Sequence, residues 1–277
     1  MFSIIIPTWN NLSFLKLCIE GIRTNSSYPH QIILHINDGG DGTLAWAKQN
    51  QIEFTHSETN IGICLAVNRC SKQAKHDYIV FMNDDMYPLP GWDKILFGEI
   101  RQLDSDCFML SSTMIEPQDT KNKCVIVADY GSNAESFEKE KLVREFPSLR
   151  KTDWSGSTWP PSVVHKKWWN KVGGYSEEFS PGMSSDDDFA MKMWNAGCRI
   201  YKGVGASRVY HFISKSTGRI VKNDGRKQFL QKWGIKQSTF HKYYIMRGEE
   251  YYGKLSSPKF SFGLLLQNIA AKVKLIF

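Results

Sequence analysis

Two short acidic clusters are the residues of this chain best suited to chemistry, and the first is Asn83-Asp84-Asp85. It directly follows the apolar run from Tyr78 to Met82. Carboxylates at the end of a buried strand are costly unless their charge is compensated, and a divalent cation compensates it through oxygen ligands. The alternative is a polar turn, in which Asp and Asn are common. The cluster therefore predicts one of two structures: a cation site in which the cation also binds a diphosphate, or an ordinary polar turn.

The second cluster is Asp186-Asp187-Asp188, which opens an apolar helical segment that includes Trp194. Acidic residues stabilise a helix N-terminus, and Ser185 with Asp188 has the spacing of a capping box. Three consecutive acids exceed what capping requires. A carboxylate held there could therefore act as a general base toward a hydroxyl group.

Two weaker features gain meaning only beside these clusters. His211 follows the apolar pair Val209-Tyr210, and a lone histidine is more often structural than a ligand. The segment from Asn60 to Asn68, with Gly62 near its start, places small and amide residues where a helix begins. A diphosphate can approach the backbone closely at such a position.

The elements that must position these residues alternate between strand and helix. Their order predicts an α/β fold, with a mostly parallel sheet flanked by helices and right-handed crossovers. Pro7 is expected to end the first strand. Ligands of such sheets gather beyond the carboxyl ends of the strands. Three strand ends are polar and are expected to share one pocket: Pro7-Thr8-Trp9-Asn10, Asn37-Asp38-Gly39 and Asn83-Asp84-Asp85.

Together these motifs resemble the family-2 glycosyltransferases, which are inverting enzymes of the GT-A fold. The similarity runs from Ser3 to about Ser214. It is carried by Ser3 to Asn10, Asn37-Asp38-Gly39, Asn60-Ile61-Gly62 with Ala66 and Asn68, Phe81 to Met86 with Pro90-Gly91-Trp92, Val172-Gly173-Gly174-Tyr175 with Glu178-Phe179, Ser185 to Phe189, and Val209-Tyr210-His211. The chain departs from the family pattern at Asn83, which replaces the first acid of the DxD motif. It also departs at Ser185, which replaces the Glu before the base.

The resemblance implies transfer of a sugar from a nucleoside diphosphate sugar to an acceptor hydroxyl, with Mn²⁺ or Mg²⁺ as cofactor. It implies that Asp186 is the catalytic base and that Asp85 and His211 hold the cation. The residues expected to bind the nucleotide sugar are Pro7, Thr8, Trp9, Asn10, Asp38, Asn60, Gly62, Asn68, Asn83 and Asp84.

Acceptor contacts are expected from Trp154, Trp159 and Asp187, because sugar faces pack on aromatic rings. The alternative for the two tryptophans is core packing or anchoring of their loop. We expect a glycan or lipid-linked acceptor and a role in glycan or polysaccharide biosynthesis. A non-catalytic sugar-nucleotide or glycan binding module with a decayed site remains the alternative function, because Asn83 and Ser185 depart from the family pattern.

Composition limits the other classes of protein. The chain has 277 residues and a formal net charge of +7, which favours an anionic partner such as a nucleotide diphosphate or a membrane surface. No GxGxxG motif follows the first strand, as a dinucleotide-dependent oxidoreductase would require. A nucleotidyltransferase would need a Gly-rich basic loop where Pro7 to Asn11 stands. No nucleic-acid-binding module is recognisable, so no nucleic-acid partner is expected.

Cysteine usage and apolar run length bear on the cellular compartment. The six cysteines lack CxxC spacing, and the N-terminus lacks the basic region of a signal peptide. No run reaches the roughly 18 to 20 apolar residues that a membrane span requires. We therefore expect buried free thiols and a cytoplasmic protein, with peripheral membrane contact as an open alternative.

Two domains are predicted: a GT-A nucleotide-sugar-binding catalytic domain over residues 1–215 and a basic helical C-terminal appendage over residues 216–277. An apolar stripe lies at helical spacing within residues 260–277. It predicts either an in-plane membrane helix or a helix that docks on the domain or on a second copy. The stripe consists of Phe262, Leu265, Leu266, Ile269, Val273 and Ile276.

Overall fold

A computed structural model describes residues 1–214, 218 and 220–276 of the chain. The strands are β1 (Phe2–Trp9), β2 (Gln31–Asn37), β3 (Glu53–Ser57), β4 (Tyr78–Phe81), β5 (Met86–Pro88), β6 (Phe108–Glu116), β7 (Ile126–Val127), β8 (Trp154–Ser155), β9 (Ser162–His165) and β10 (Ile200–His211). The helices are α1 (Leu12–Asn25), α2 (Thr43–Gln49), α3 (Gly62–Ser71), α4 (Trp92–Gln102), α5 (Lys139–Glu145), α6 (Lys166–Val172), α7 (Ser185–Asn195), α8 (Gly225–Trp233), α9 (Gln237–Thr239) and α10 (Phe262–Ile276).

The described strands form one mixed sheet in the order β3-β2-β1-β4-β9-β6-β10-β5. The pairs β3–β2, β2–β1, β1–β4 and β6–β10 are parallel, whereas β9 runs antiparallel to both of its neighbours. Strand β5 is antiparallel to β10, while β7 and β8 pair with β6 and β10. The predicted α/β fold, a central sheet flanked by helices, is confirmed.

Strand β1 shows how the sequence builds a core on each face of the sheet. Ile4 and Ile6 belong to the core that contains α1, whereas Ile5 belongs to the core that contains α3. Side chains of a strand alternate between faces, so a continuous apolar run fills both cores.

Pro7 does not end β1, because the strand continues to Trp9 and Pro7 lies opposite His35 of β2. Ile5 accepts a hydrogen bond from the backbone N–H of Met82, so its backbone faces the β4 side, and Pro7 has the same orientation. Strand β4 ends at Phe81. The N–H that proline lacks would therefore have no partner strand, and the sheet loses no hydrogen bond.

The C-terminal part of the chain packs on the same core as the sheet. Phe229, Phe240 and Ile245 are buried together with Trp194 of α7. Helix α10 contacts α8, and Ala271 of α10 is buried. The predicted domain boundary between residues 215 and 216 lies outside the described residues, as does Phe277.

Candidate active site

A cavity of about 300 Å³ opens at the carboxyl ends of the strands. The three polar strand ends that were predicted to share a pocket all line it, together with the start of α3, the segment at residues 181–183, the segment at residues 211–214 and Ile220. Its lining residues are Pro7, Thr8, Trp9, Asn37, Asn60, Gly62, Ile63, Asn83, Asp84, Asp85, Pro181, Met183, His211, Ile213, Ser214 and Ile220.

The two carboxylates that follow β4 are buried at this cavity and are held by hydrogen bonds. Asn11 Nδ2 donates to Asp84 Oδ1 at 3.0 Å, and the backbone N–H of Ser214 donates to Asp85 Oδ2 at 2.8 Å. His211 Nε2 lies 3.6 Å from the same Asp85 oxygen. Residues 129 positions apart in the chain therefore meet at one carboxylate.

His211 is oriented by a residue that sequence reasoning missed. Its Nδ1 lies 2.9 Å from Glu116 Oε1, which leaves Nε2 directed toward Asp85. Burial alone would lower the pKa of His211, but the charge of Asp85 and the hydrogen bond with Glu116 raise it overall. Glu116 ends the nine-residue buried strand β6, and an acid at the end of such a strand is the signal that could have identified it.

The chemistry of Asp85 and His211 fits a divalent cation. A histidine ligand commonly bonds a carboxylate through its other nitrogen, as His211 does with Glu116. Among the described residues, no group of three Asp, Glu, His or Cys side chains is arranged to hold a metal ion. Mg²⁺ is usually bound through one or two carboxylates together with substrate phosphates, so two protein ligands are compatible with a cation shared with a diphosphate.

Asp38 and Asn10 lie beside this cavity and do not line it. Asn10 Nδ2 donates to Asp38 Oδ2 at 2.8 Å, and Asn10 Oδ1 accepts from the backbone N–H of Gly39 at 3.0 Å. Asp38 is exposed and has a positive φ of 63°. These bonds join the loops after β1 and β2 at the predicted nucleoside end of the cavity.

Gly62 allows the loop before α7 to pack against the start of α3. Its φ is +79°, and a Cβ atom there would lie 2.9 Å from the Pro181 Cα. The N–H of Ile63 donates to the Pro181 carbonyl at 2.9 Å, while Asn60 Oδ1 accepts from the N–H of Gly62. The loop that carries Met183 into α7 is thereby held at the cavity.

Asn68 does not line the cavity and instead bonds the protein. Its Nδ2 donates to the Tyr175 carbonyl at 2.8 Å, and its Oδ1 accepts from the Tyr175 N–H at 2.9 Å. Both polar groups of the amide are therefore engaged with the segment that carries Tyr175. The nucleotide-sugar contact expected for Asn68 is corrected to positioning of Tyr175.

The three consecutive acids of α7 have different environments. Asp187 accepts hydrogen bonds from Gln237 and from His241 Nε2, the latter at 2.8 Å. Asp188 is buried against Lys232 and Trp233, each at 2.9 Å. These contacts give both residues structural partners on the C-terminal elements.

Asp186 accepts a hydrogen bond from Tyr175 Oη at 2.8 Å. Withdrawal from water raises the pKa of Asp186 to about 7, although the Tyr175 hydrogen bond opposes the shift. A carboxyl group with this pKa can accept a proton near neutral pH. Asp186 itself does not line the strand-end cavity, but it lies three residues after Met183, which does.

Trp154 is not available as an acceptor platform. It is 2% exposed, its Nε1 donates to Thr113 Oγ1 at 2.9 Å, and its ring packs on Gly203 and stacks on Trp159. With its ring faces covered, Trp154 cannot receive a sugar, and this prediction is corrected. Trp159 is half-buried, and the guanidinium of Arg247 lies 3.9 Å from its ring centre.

The fold is that of GT-A glycosyltransferases. The chain resembles S. aureus TarS 1–349 in complex with UDP-GlcNAc, with a TM-score of 0.60, 16% identity, and coverage of 83% of this chain and 64% of TarS 1–349. It also resembles GalNAc-T7 with UDP, GalNAc and Mn²⁺, with a TM-score of 0.59, 13% identity, and coverage of 87% of this chain and 49% of GalNAc-T7. At these identities the likeness establishes the fold alone.

The chain belongs to glycosyl transferase family 2, whose sequence pattern matches residues 3–152. A curated relative, the chondroitin synthase of Pasteurella multocida (strain Pm70), is 24% identical over an alignment 242 residues long, and the match covers 76% of this chain. The chain spans about a quarter of the length of that synthase, because the match covers 24% of it. The family match includes Asp84 and Asp85 but ends before Asp186 and His211.

Proposed function

We propose that the protein is an inverting glycosyltransferase that uses a divalent cation and moves a sugar from a nucleoside diphosphate sugar to an acceptor hydroxyl. One observation carries the proposal. The loop that brings Pro181 and Met183 to the cavity of Asp84 and Asp85 leads directly into α7, whose first turn holds Asp186. The proposed cation site and the candidate base are therefore joined by one short loop, which lines the cavity and leads into α7.

The environments of the three acids support Asp186 as the base. Asp187 and Asp188 are occupied by partners from the C-terminal elements, whereas the carboxyl of Asp186 has the pKa of about 7 that proton abstraction near neutral pH requires. A single base that activates the acceptor hydroxyl fits direct displacement at the anomeric carbon, which inverts its configuration.

The remaining residues hold and orient the donor. Asp85 and His211 would bind the cation, and a bound cation would neutralise the charge that develops on the leaving diphosphate. Glu116 fixes the tautomer of His211 so that Nε2 stays available. The nucleoside would lie between the loops after β1 and β2, beside Trp9 and Asp38.

UDP is the first donor nucleotide to test, because the related structures of TarS and GalNAc-T7 were determined with UDP or a UDP sugar. The likeness to a chondroitin synthase favours a glycan acceptor and a role in polysaccharide synthesis. An assay of UDP release from UDP sugars, with and without a mixture of glycan acceptors, tests the proposal. Acceptor-dependent release supports it, and a binding module would show none.

The pH profile of transfer should report the ionisation of Asp186. Because the base must be deprotonated, kcat/KM should fall about tenfold per pH unit below pH 7 and level off above it. The hydrogen bond from Tyr175 stabilises the carboxylate, so Tyr175→Phe should raise the pKa of Asp186 and move the acidic limb to higher pH. Both profiles can be measured between about pH 5 and pH 9.

Tyr252→Phe is the matched control, since Tyr252 is 88% exposed and bonds only Glu250 among the described side chains. Its profile should coincide with that of the unmodified protein. An acidic limb that stays in place in Tyr175→Phe would contradict the role given to this pair.

Helix α10 docks with the opposite face from the one that its apolar stripe suggested. Ala271 is buried and Asn268 is half-buried, whereas Phe262, Leu265 and Ile269 are exposed. Within the described residues, no helix has the length and apolar content needed to cross a bilayer. We propose that the exposed stripe rests on an anionic membrane surface, which the exposed Lys259 and Lys272 beside it would attract.

Flotation with vesicles tests this contact. The full chain should float with vesicles that contain about 30% phosphatidylglycerol and less with neutral vesicles, because both apolar burial and charge contribute. The variant Leu265→Glu/Ile269→Glu should stay at the bottom of the gradient. Val127→Glu, at an exposed apolar residue of β7, should float normally. Equal flotation of both variants would rule out the stripe as the membrane contact.

A further inference from the structure

A second and larger cavity lies among the C-terminal helices. Its volume is about 900 Å³, and it is bounded by the start of α8, by α9 with the turn that follows it, and by the end of α10. Among the described residues, none lines both this cavity and the strand-end cavity. Its lining residues are Asp224, Arg226, Lys227, Leu230, Lys236, Gln237, Ser238, His241, Arg247, Val273 and Lys274.

The wall of this cavity is strongly basic. Five of its lining side chains are lysine or arginine: Arg226, Lys227, Lys236, Arg247 and Lys274. Asp224 supplies the one carboxylate among the described lining residues, and its Oδ1 caps α8 by accepting from the backbone N–H of Lys227 at 3.1 Å. Within the described part of the chain, no ion pair involves the side chains of Arg226, Lys236 or Lys274. Cations that converge on a cavity without counter-ions favour an anionic ligand.

The floor of the cavity is bonded to the acidic turn of α7. His241 Nε2 lies 2.8 Å from Asp187 Oδ1, and Gln237 donates to Asp187 Oδ2. Arg247 Nη1 lies 3.1 Å from His241 Nε2. Burial raises the pKa of Asp186, and the charge of Arg247 opposes that rise. The same charge adds to the hydrogen bond with His241 in lowering the pKa of Asp187. Two residues that line the basic cavity, Gln237 and His241, therefore form hydrogen bonds with Asp187. Asp187 directly follows Asp186, the proposed base, in the sequence.

The two cavities adjoin at the loop before α7, where Met183 packs against the start of α8. A Cβ atom at Gly225, the first residue of α8, would lie 2.0 Å from the Met183 carbonyl oxygen, and Asn223 Oδ1 accepts from the Met183 N–H at 3.0 Å. Met183 lines the strand-end cavity, while Asp224 and Arg226 line the basic one. The loop before α7 thus has the proposed donor site on one side and the basic cavity on the other.

We propose that the basic cavity is the acceptor subsite and that it binds an acceptor sugar through an anionic group, a carboxylate or a phosphoryl group. This inference rests on the proposed function, because an acceptor sugar needs a subsite beside Asp186 only if the protein transfers a sugar to it. A cation at hydrogen-bond distance binds such groups more strongly than it binds neutral hydroxyls. The cavity volume is within the range of sites for small ligands of a few hundred to a thousand cubic ångströms.

Calorimetric titration of the full chain with defined probes tests the subsite. Short oligogalacturonate supplies carboxylates on a glycan, and its methyl ester is the neutral match. Glucose 6-phosphate supplies a phosphoryl group on a sugar, and inorganic phosphate supplies the free anion. At least one of the two anionic sugars should bind about tenfold more tightly than both the methyl ester and inorganic phosphate, and its binding should weaken as salt rises.

The variant Arg226→Gln/Lys236→Gln locates the binding. Removal of two cations from the wall should weaken the binding of that anionic sugar about tenfold or more. The control Lys48→Gln/Lys94→Gln makes the same change in net charge at two exposed lysines of α2 and α4 and should bind like the unmodified protein. UDP, titrated separately, should bind all three proteins alike.

Each possible result has a distinct meaning. Equal binding of oligogalacturonate and its ester, with glucose 6-phosphate no better than inorganic phosphate, would overturn the anionic subsite. So would an equal effect of the two double variants, or no binding of either anionic sugar at about 10 mM. If none of the common nucleoside diphosphates binds while the anionic sugar is still bound through Arg226 and Lys236, the proposed function is overturned instead.

Discussion

Replacement of Asp186 by Asn is expected to lower the rate of sugar transfer by about 10²- to 10⁴-fold while donor binding changes by less than about twofold. Asn has nearly the same shape as Asp and can still accept the hydrogen bond from Tyr175 Oη, but it cannot take a proton from the acceptor. Initial rates at saturating donor measure the first quantity. Calorimetric titration with UDP measures the second.

Asp187→Asn is the matched control on the next residue of the same helix. It removes the charge that pairs with His241, so we expect a lower melting temperature and a smaller loss of transfer rate than in Asp186→Asn. Comparable losses of melting temperature and donor binding in Asp186→Asn would show that Asp186 is structural. They would also remove the basis for the proposed mechanism.

Asp85→Ala is expected to abolish the enhancement of UDP binding by Mn²⁺ and to leave binding without Mn²⁺ almost unchanged. The reason is that Asp85 would supply the carboxylate of the proposed two-ligand cation site, and the diphosphate would be attracted mainly through the cation. Calorimetry with UDP in the presence of Mn²⁺ or of a chelator measures both values. Circular dichroism checks that the variant is folded.

Glu116→Gln provides a graded test of the same site. Glutamine retains the shape of the side chain but weakens the hydrogen bond that orients His211, so Mn²⁺ affinity should fall by about 10- to 100-fold. Glu135→Ala, at an exposed acid between β7 and α5, should leave the enhancement intact. An enhancement that survives in Asp85→Ala, or that is absent in the unmodified protein, would contradict the cation site.

The first half of the fold could be predicted because each element carries its own signal. The continuous apolar runs of β1, β2 and β4 and the helical spacing in α1 and α3 are local features, and parallel βα order then places the strand ends together. The position of the pocket could be predicted from the rule that ligands of such sheets bind beyond the carboxyl ends of the strands. Buried free cysteines were likewise predicted, and the structure confirms them for all six.

Long-range pairing was beyond the reach of local patterns. Strand β9 is short and inserts antiparallel between β4 and β6, which no βα repeat predicts. The pairing of His211 with Glu116 joins residues 95 positions apart. The charged span from residue 131 to 152 contains α5, and the Leu142 side chain of this helix is buried in a third apolar cluster with residues from distant parts of the chain.

Spacing also left the orientation of side chains undetermined. The stripe on α10 was identified correctly as one face of a helix, but spacing does not state which face meets the protein. The residue types at Trp154 and Trp159 predicted either a sugar platform or core packing, and Trp154 takes the second role by filling the space above Gly203. In both cases the orientation of the side chain depends on the surface that it packs against, and that surface is formed by residues from elsewhere in the chain.

The central claim is that the cation-binding carboxylate and the base converge on one donor sugar. A crystal structure with UDP-GlcNAc and Mn²⁺ tests it most directly. We expect the diphosphate beside Asp85, and a carboxylate oxygen of Asp186 within about 6 Å of the anomeric carbon, since one hydroxyl oxygen must fit about 3 Å from each. A nucleotide bound away from Asp85, or an anomeric carbon screened from Asp186 by the loop at Pro181, would contradict the claim.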